Sequence, residues 1–403
     1  MASPSTKSRH PMLKTLLALA VAAGVWLPNL HRCFEPAARP PGAARTLTAT
    51  ARKLAAGHIA RWTDPRLRRR ALERMQARNP EWDFMSRTYF VLALANMGLA
   101  DPAYRRPACD IADAIIEQTL AIEREQGFEH FLLPYGRNRK TWVHQPGRSL
   151  FVDGEIALML AARRLVAEKP EYRPRLSERV ELIVGRMRRG PVRCAESYPD
   201  ECWLFCNTVA LAAVRTADAL DGTDHAAFLS EWVATAKSRL IDPTTGLLIS
   251  AFGVDGTPAA SAAGPEGSSI WMACHMLQIV DPEFARDQYA RARAALGRTA
   301  LGFGYSREWP AAAGASVDID SGPVIPVLGA SPSASGLALI AATAFGDRPY
   351  AEALLTSLAF GGFPAEQNGT LRYEACNAVG EAVVLYGMVV GPMWQEVQRR
   401  MER

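Results

Sequence analysis

The chain has 403 residues, 49% hydrophobic and 22% charged, with a net charge of +5. That composition excludes a disordered or collagenous chain and supplies enough apolar mass for a large core. Much of the excess charge lies in one Arg-rich stretch, residues 61–70, so no basic nucleic-acid groove is implied. The seven cysteines show no paired CxxC spacing, and no HxxxH follows them, so no zinc site is expected. A disulfide cannot be read from these positions. No Gly-rich phosphate loop, GxSxG elbow or HExxH occurs, and the sequence implies neither a metal nor a cofactor.

The chain opens on a targeting segment. Lys7, Arg9, His10 and Lys14 precede Leu16–Leu27, an apolar run of twelve residues. That is the pattern of a secretory h-region or an uncleaved anchor. Residues 1–34 are assigned to it, residues 35–46 to a Pro-rich linker and residues 47–403 to one globular domain. A periplasmic or other extracytoplasmic location follows, with the first segment as a candidate membrane contact.

Beyond the linker the text alternates. Apolar helices are expected at Asp83–Leu99, Ser149–Val166, Phe205–Leu220, Ser268–Val280, Ala334–Phe345 and Glu381–Val390. One-faced helices follow the first five, at Ala108–Arg124, Arg175–Arg188, Asp224–Leu240, Glu283–Leu296 and Pro349–Phe360. Thr48–Ala60 and Pro65–Ala77 also read as helices. Pairing Pro65–Ala77 with the last apolar helix gives six of each kind. Helices apolar all round must be buried, and one-faced helices cover them. The expected fold is therefore all-α, an (α/α)6 barrel of two concentric rings. Leu247–Phe252 and Gly302–Tyr305 read as short strand excursions.

Loop lengths locate the site. Links from inner to outer helices are short, whereas those returning to the inner ring are long. The long loops therefore share one face, where sites are commonly built. The inner helices point their N-termini at that face, which favours negative charge there.

Several chemistry-bearing residues fall on that rim. Asp83 and Tyr89 start the first inner helix. Trp142 lies in the next long loop, ahead of Asp153 and Glu155 inside an apolar helix. Carboxylates in such surroundings should be paired or functional. The densest motif is Tyr198-Pro-Asp-Glu-Cys-Trp-Leu-Phe-Cys206-Asn207. There Pro199 and Asp200 punctuate a helix start, Asp200 as its cap. Cys206 falls in the first turn, where the dipole favours a thiolate. Phe252 follows in the fourth loop and an Asp318/Asp320 pair in the fifth. The catalytic candidates are Asp83, Tyr89, Glu155, Tyr198, Asp200 and Cys206. The substrate-binding candidates are Trp142, Asp153, Trp203, Phe205 and Phe252.

From Tyr198 to Phe252 the text PDECWLFCNTVALAAVRTADALDGTD…LIDPTTGLLISAF resembles the linalool dehydratase-isomerase family. The resemblance implies an extracytoplasmic, cofactor-independent (α/α)6 barrel that interconverts a tertiary terpene alcohol, its primary isomer and a triene. It puts Cys206 on a family catalytic cysteine and Trp203 and Phe252 on substrate-wall aromatics. Asp83 and Tyr89 fall in the acid and tyrosine region. Ser197 and Glu155 stand where the family has a second cysteine and a histidine. The expected activity is acid/base dehydration or isomerisation of a hydroxylated apolar small molecule. A carbohydrate-active barrel using a carboxylate pair, or a non-catalytic binding barrel, is the alternative. A homo-oligomer is compatible with either.

Overall fold

The computed structural model describes residues 10–36, 47–137, 141–259, 264–310, 318–319 and 322–403. Fifteen helices occur among them. The first, α1 (His10–Trp26), continues as a 3-10 turn at Leu27–Cys33. Next come α2 (Ala49–Thr63), α3 (Pro65–Arg78), α4 (Pro80–Ala100), α5 (Pro102–Gln126), α6 (Leu150–Val166) and α7 (Tyr172–Arg189). They are followed by α8 (Leu204–Asp221), α9 (Ala226–Arg239), α10 (Gly267–Leu277) and α11 (Pro282–Ala295). The last four are α12 (Pro332–Phe345), α13 (Arg348–Gly361), α14 (Ala378–Val389) and α15 (Pro392–Met401).

Local chemistry sets the sharp turns between inner and outer helices. Asp101, Asp281 and Asp347 each cap an outer helix through the side chain, with Pro in its first turn. Such a cap satisfies N–H groups that have no partner within the helix.

The helices α4, α6, α8, α10, α12 and α14 pack each on the next, and α14 returns to α4. That closes the inner ring. Every residue of α6 is buried, as is nearly all of α8. Outside it α5 covers α4 and α6, α7 covers α6 and α8, α11 lies on α10, and α13 on α12. The expected (α/α)6 barrel is thus observed.

Two details differ from expectation. The outer helix against α14 is α2, whereas α3 packs on α2 and α4. The reason is its content: α3 is rich in arginine and buries only Met75. The second is α15, absent from the sequence reading. It packs against α4, α6 and α8 at the end where they terminate. Asn96 Oδ1 accepts from the N–H groups of Gly391 (3.1 Å) and Met393 (3.0 Å), tying this floor to α4.

Candidate active site

The long connections leave outer helices and return to the N-termini of inner ones, so all lie at the end opposite α15. One close approach sets the centre. A Cβ on Gly154 would meet Ala210 at 3.2–3.3 Å, so glycine lets α6 and α8 nearly touch. The residue after it is Glu155, and Cys206 lies one turn before Ala210.

Glu155 is 2% exposed. Burial pushes its carboxyl from 4.5 up to about 7, with nearby Thr88 opposing in part. The Thr88 hydroxyl has no hydrogen-bond partner of good geometry among the described residues, so burial dominates. Tyr89 is buried, and its phenol feels Glu155, Tyr386 and Cys206. The Tyr89 hydroxyl has no hydrogen-bond partner among the described residues. Below it, the Tyr386 ring lies 6.3 Å from that of Tyr89, and its hydroxyl meets His275 Nε2 at 2.7 Å. His275 in turn faces Trp394 of the floor.

Cys206 occupies the third position of α8. Burial raises its thiol pKa well above 9. Ser197 opposes that shift by a hydrogen bond, while Glu81 and Glu155 add to it. Desolvation thus outweighs the helix dipole, and the residue is a thiol rather than the expected thiolate. All seven cysteines are free.

Asp200 does not cap α8. Trp203 holds that position, without a side-chain cap, and the Leu204 N–H donates to Ser250 O at 2.8 Å. A short antiparallel pair, β1 (Cys202–Trp203) with β2 (Ala251–Phe252), substitutes for the cap. Asp200 instead adopts a left-handed φ of 52° in the turn from Tyr198 to Glu201. Its N–H donates to Glu196 Oε1 at 2.9 Å.

Aromatic residues pack around Tyr198 at this end. Tyr198 donates to Glu81 Oε1 at 2.5 Å and accepts from the Leu133 N–H at 2.8 Å. Tyr135 stacks on it, with centroids 4.7 Å apart. A Cβ on Gly136 would strike the Tyr198 ring at 2.3 Å, so glycine permits this stack. Tyr135 and the Trp203 indole both donate to Glu201 Oε1, at 3.2 and 2.5 Å. Phe205 and Phe252 are buried, Phe252 registered opposite Cys202.

Three predicted residues are directed elsewhere. Asp83 forms a buried ion pair with Arg87 at 3.1 Å, and Arg87 also bonds Gln118 and Thr119 of α5. Asp83 therefore faces the outer ring. Asp153 is clamped by Arg148 (2.7 Å) and Arg179 (2.6 Å), which share Glu123. That network ties α5, α6 and α7 together. Trp142 packs edge-on against Phe128 in its own loop, with ring centroids 5.7 Å apart. The Asp318 side chain and Asp320 lie outside the described residues.

Two carboxylates went unnoticed in the sequence. Glu81 is the Tyr198 acceptor. Glu196, fully buried, accepts from the N–H groups of Val143 (2.8 Å), His144 (3.0 Å) and Asp200. It joins the second and third long loops. Its only sequence mark is a carboxylate beside Ser197, between Arg193 and the Asp200-Glu201 pair. Among the described residues no cluster of three or more metal-ligating side chains gathers. Two surface clefts of about 680 and 470 Å³ lie on the outer side, both lined by Lys237 of α9 and Glu283 of α11.

The fold and this centre define a helical barrel with a buried acid and thiol at its mouth. The family model for linalool dehydratase/isomerase matches residues 155–379, more than half of the chain. The protein belongs to that family. Among solved structures, a GH76 alpha-mannanase of Bacteroides thetaiotaomicron is 10% identical, with a TM-score of 0.46 over 78% of this chain and 87% of that one. A possible member of the GH105 family from Salmonella enterica is 13% identical, with a TM-score of 0.45 over 74% and 82%.

Proposed function

We propose that the barrel mouth dehydrates or isomerises a hydroxylated, largely apolar small molecule by acid–base catalysis, as the family name describes. The observation that carries this reading is the Glu155 carboxyl. It is buried, has no cation beside it among the described residues, and is poised near neutrality at about 7. An acid whose pKa lies near the working pH is best suited to proton transfer.

In the proposed step, neutral Glu155 gives its proton to the substrate hydroxyl. The C–O bond breaks and water leaves. The Glu155 carboxylate then takes a proton from the carbon next to the cationic centre, and that C–H pair becomes the new C=C bond. Alternatively, before that carbon is deprotonated, water re-adds at the other end of an allylic cation and the Glu155 carboxylate takes back its proton, which gives the isomer. Tyr89, lacking a protein partner, orients the substrate hydroxyl. The neutral Cys206 thiol holds the departing water, while Tyr198, tied to Glu81, serves as part of the cover. Trp203, Phe205 and Phe252 line the apolar wall. Substrate entry requires the Tyr135–Tyr198 cover to move, since Glu155 and Cys206 are both buried.

A carbohydrate-active barrel would need a free carboxylate pair; Asp83 and Asp153 are held in ion pairs and Glu196 by backbone N–H groups, so these three do not supply it. We also read the barrel as extracytoplasmic, because the basic residues precede α1 and a basic flank stays inside.

The test is turnover of linalool, a tertiary allylic alcohol, by wild type and by the Cys206→Ala and Glu155→Gln variants. Dehydration that falls about 10²–10⁴-fold in Glu155→Gln supports the proposal. Equal product from all three proteins removes both residues from the mechanism.

A further inference from the structure

The apolar surface is unevenly distributed. Outside α1 and its 3-10 turn, nine large hydrophobic residues are exposed among those described. Six of these nine lie in two connections of the mouth end. Leu301, Ile325, Val327 and Leu328 belong to the link from α11 to α12, and Phe360 and Phe363 to the end of α13 and the turn after it. Val327 is 94% exposed and Phe363 65%.

Two of them sit where folding gives no reason for them. Leu301 (φ 50°), at a hairpin tip, and Phe363 (φ 51°), in the bend between α13 and the strand at Pro364, are in the left-handed region. Glycine or asparagine relieves that conformation, and a bulky apolar side chain in water gains nothing there. Exposed apolar residues concentrated in this way mark a contact surface.

The N-terminal segment identifies the contact. Met12–Cys33 is apolar and long enough to cross a bilayer, and it is unburied by the barrel. Its end does not drift away. His31 packs edge-on to Phe303 and fills the space over Gly302, the residue after Leu301. Phe34 packs edge-on to Phe360. Trp26, at the end of α1, is 69% exposed, the usual position of an interfacial aromatic. The anchor therefore joins the barrel at the exposed apolar turns.

We infer that this side of the mouth rim rests in the lipid bilayer that α1 crosses, with Leu301, Phe360 and Phe363 inserted at the acyl boundary. The barrel is then a monotopic body as well as an anchored one. It lies with its mouth rim against the membrane rather than hanging freely from a tether.

The experiment uses the full chain in phosphatidylcholine vesicles carrying a photoreactive group on the acyl chain. After illumination, the labelled peptides are mapped by mass spectrometry. Labelling is expected in α1 and in the peptides holding Leu301 and Phe360–Phe363. The peptide with Met401, exposed at the opposite end, should stay unlabelled. In the L301S/F363S variant the two turns lose their label while α1 keeps its own and the circular dichroism stays helical. If that variant does not fold, the wild-type map alone decides. Label confined to α1, or a dimer mass with the turns protected by a second copy, overturns the inference. So does loss of residues 10–33 by cleavage. The readout is independent of turnover, so its failure leaves the proposed chemistry standing.

Discussion

Replacing Glu155 by Gln keeps the side-chain shape while fixing it in a neutral form. The folded protein holds this carboxyl at about 7, against 4.5 when unfolded. That difference corresponds to about 3 kcal/mol. The folded state binds the proton more tightly. The contribution is therefore fully present below pH 4.5 and is lost as pH rises through about 7. Glutamine has no such dependence. The unfolding free energy of the variant relative to wild type should rise with pH, by about 3 kcal/mol between pH 4.5 and pH 8. Urea unfolding followed by circular dichroism at several pH values measures it, and other titrating groups cancel in the comparison. Parallel curves, with a constant difference across this range, would refute a buried carboxyl without a cation.

Cys206 should resist iodoacetamide at pH 8 in the folded protein, whereas the exposed Cys33 reacts; peptide mapping distinguishes them, and rapid Cys206 alkylation would show a thiolate. Arg87→Ala leaves Asp83 buried without its cation and should cost about 3–5 kcal/mol of stability, read by chemical denaturation. Glu196→Gln exchanges one accepting oxygen for a donor facing backbone N–H groups. It should cost about 1–3 kcal/mol and increase proteolysis within residues 127–149 before global unfolding.

The barrel was legible because burial leaves a periodic trace. The unbroken apolar text of α4, α6 and α8 identifies inner helices, and Asp-Pro pairs at 101–102 and 281–282 mark the sharp turns. The sixth outer position was misassigned because α2 and α3 both read as helices, and only packing reveals that α3 buries one side chain. The site was legible in part. Glu155 and Cys206 stand out as polar groups in apolar helices. Tyr198 lay within the densest motif, but its acceptor Glu81 is 117 residues away and leaves no local mark. The i,i+4 spacing of Asp83 and Arg87 did carry the sign of an ion pair. Asp153 gave no such sign, since Arg179 reaches it from another helix. The cap assigned to Asp200 failed because a strand pair supplies what a capping side chain otherwise would.

The most direct test is a structure of the protein with a saturated tertiary alcohol bound. The account predicts its hydroxyl within about 2.6–3.2 Å of a Glu155 oxygen, its carbon body against Trp203, Phe205 and Phe252, and the Tyr135–Tyr198 stack displaced. An alcohol seated in the outer cleft near Lys237, with Glu155 still sealed from it, would contradict the account.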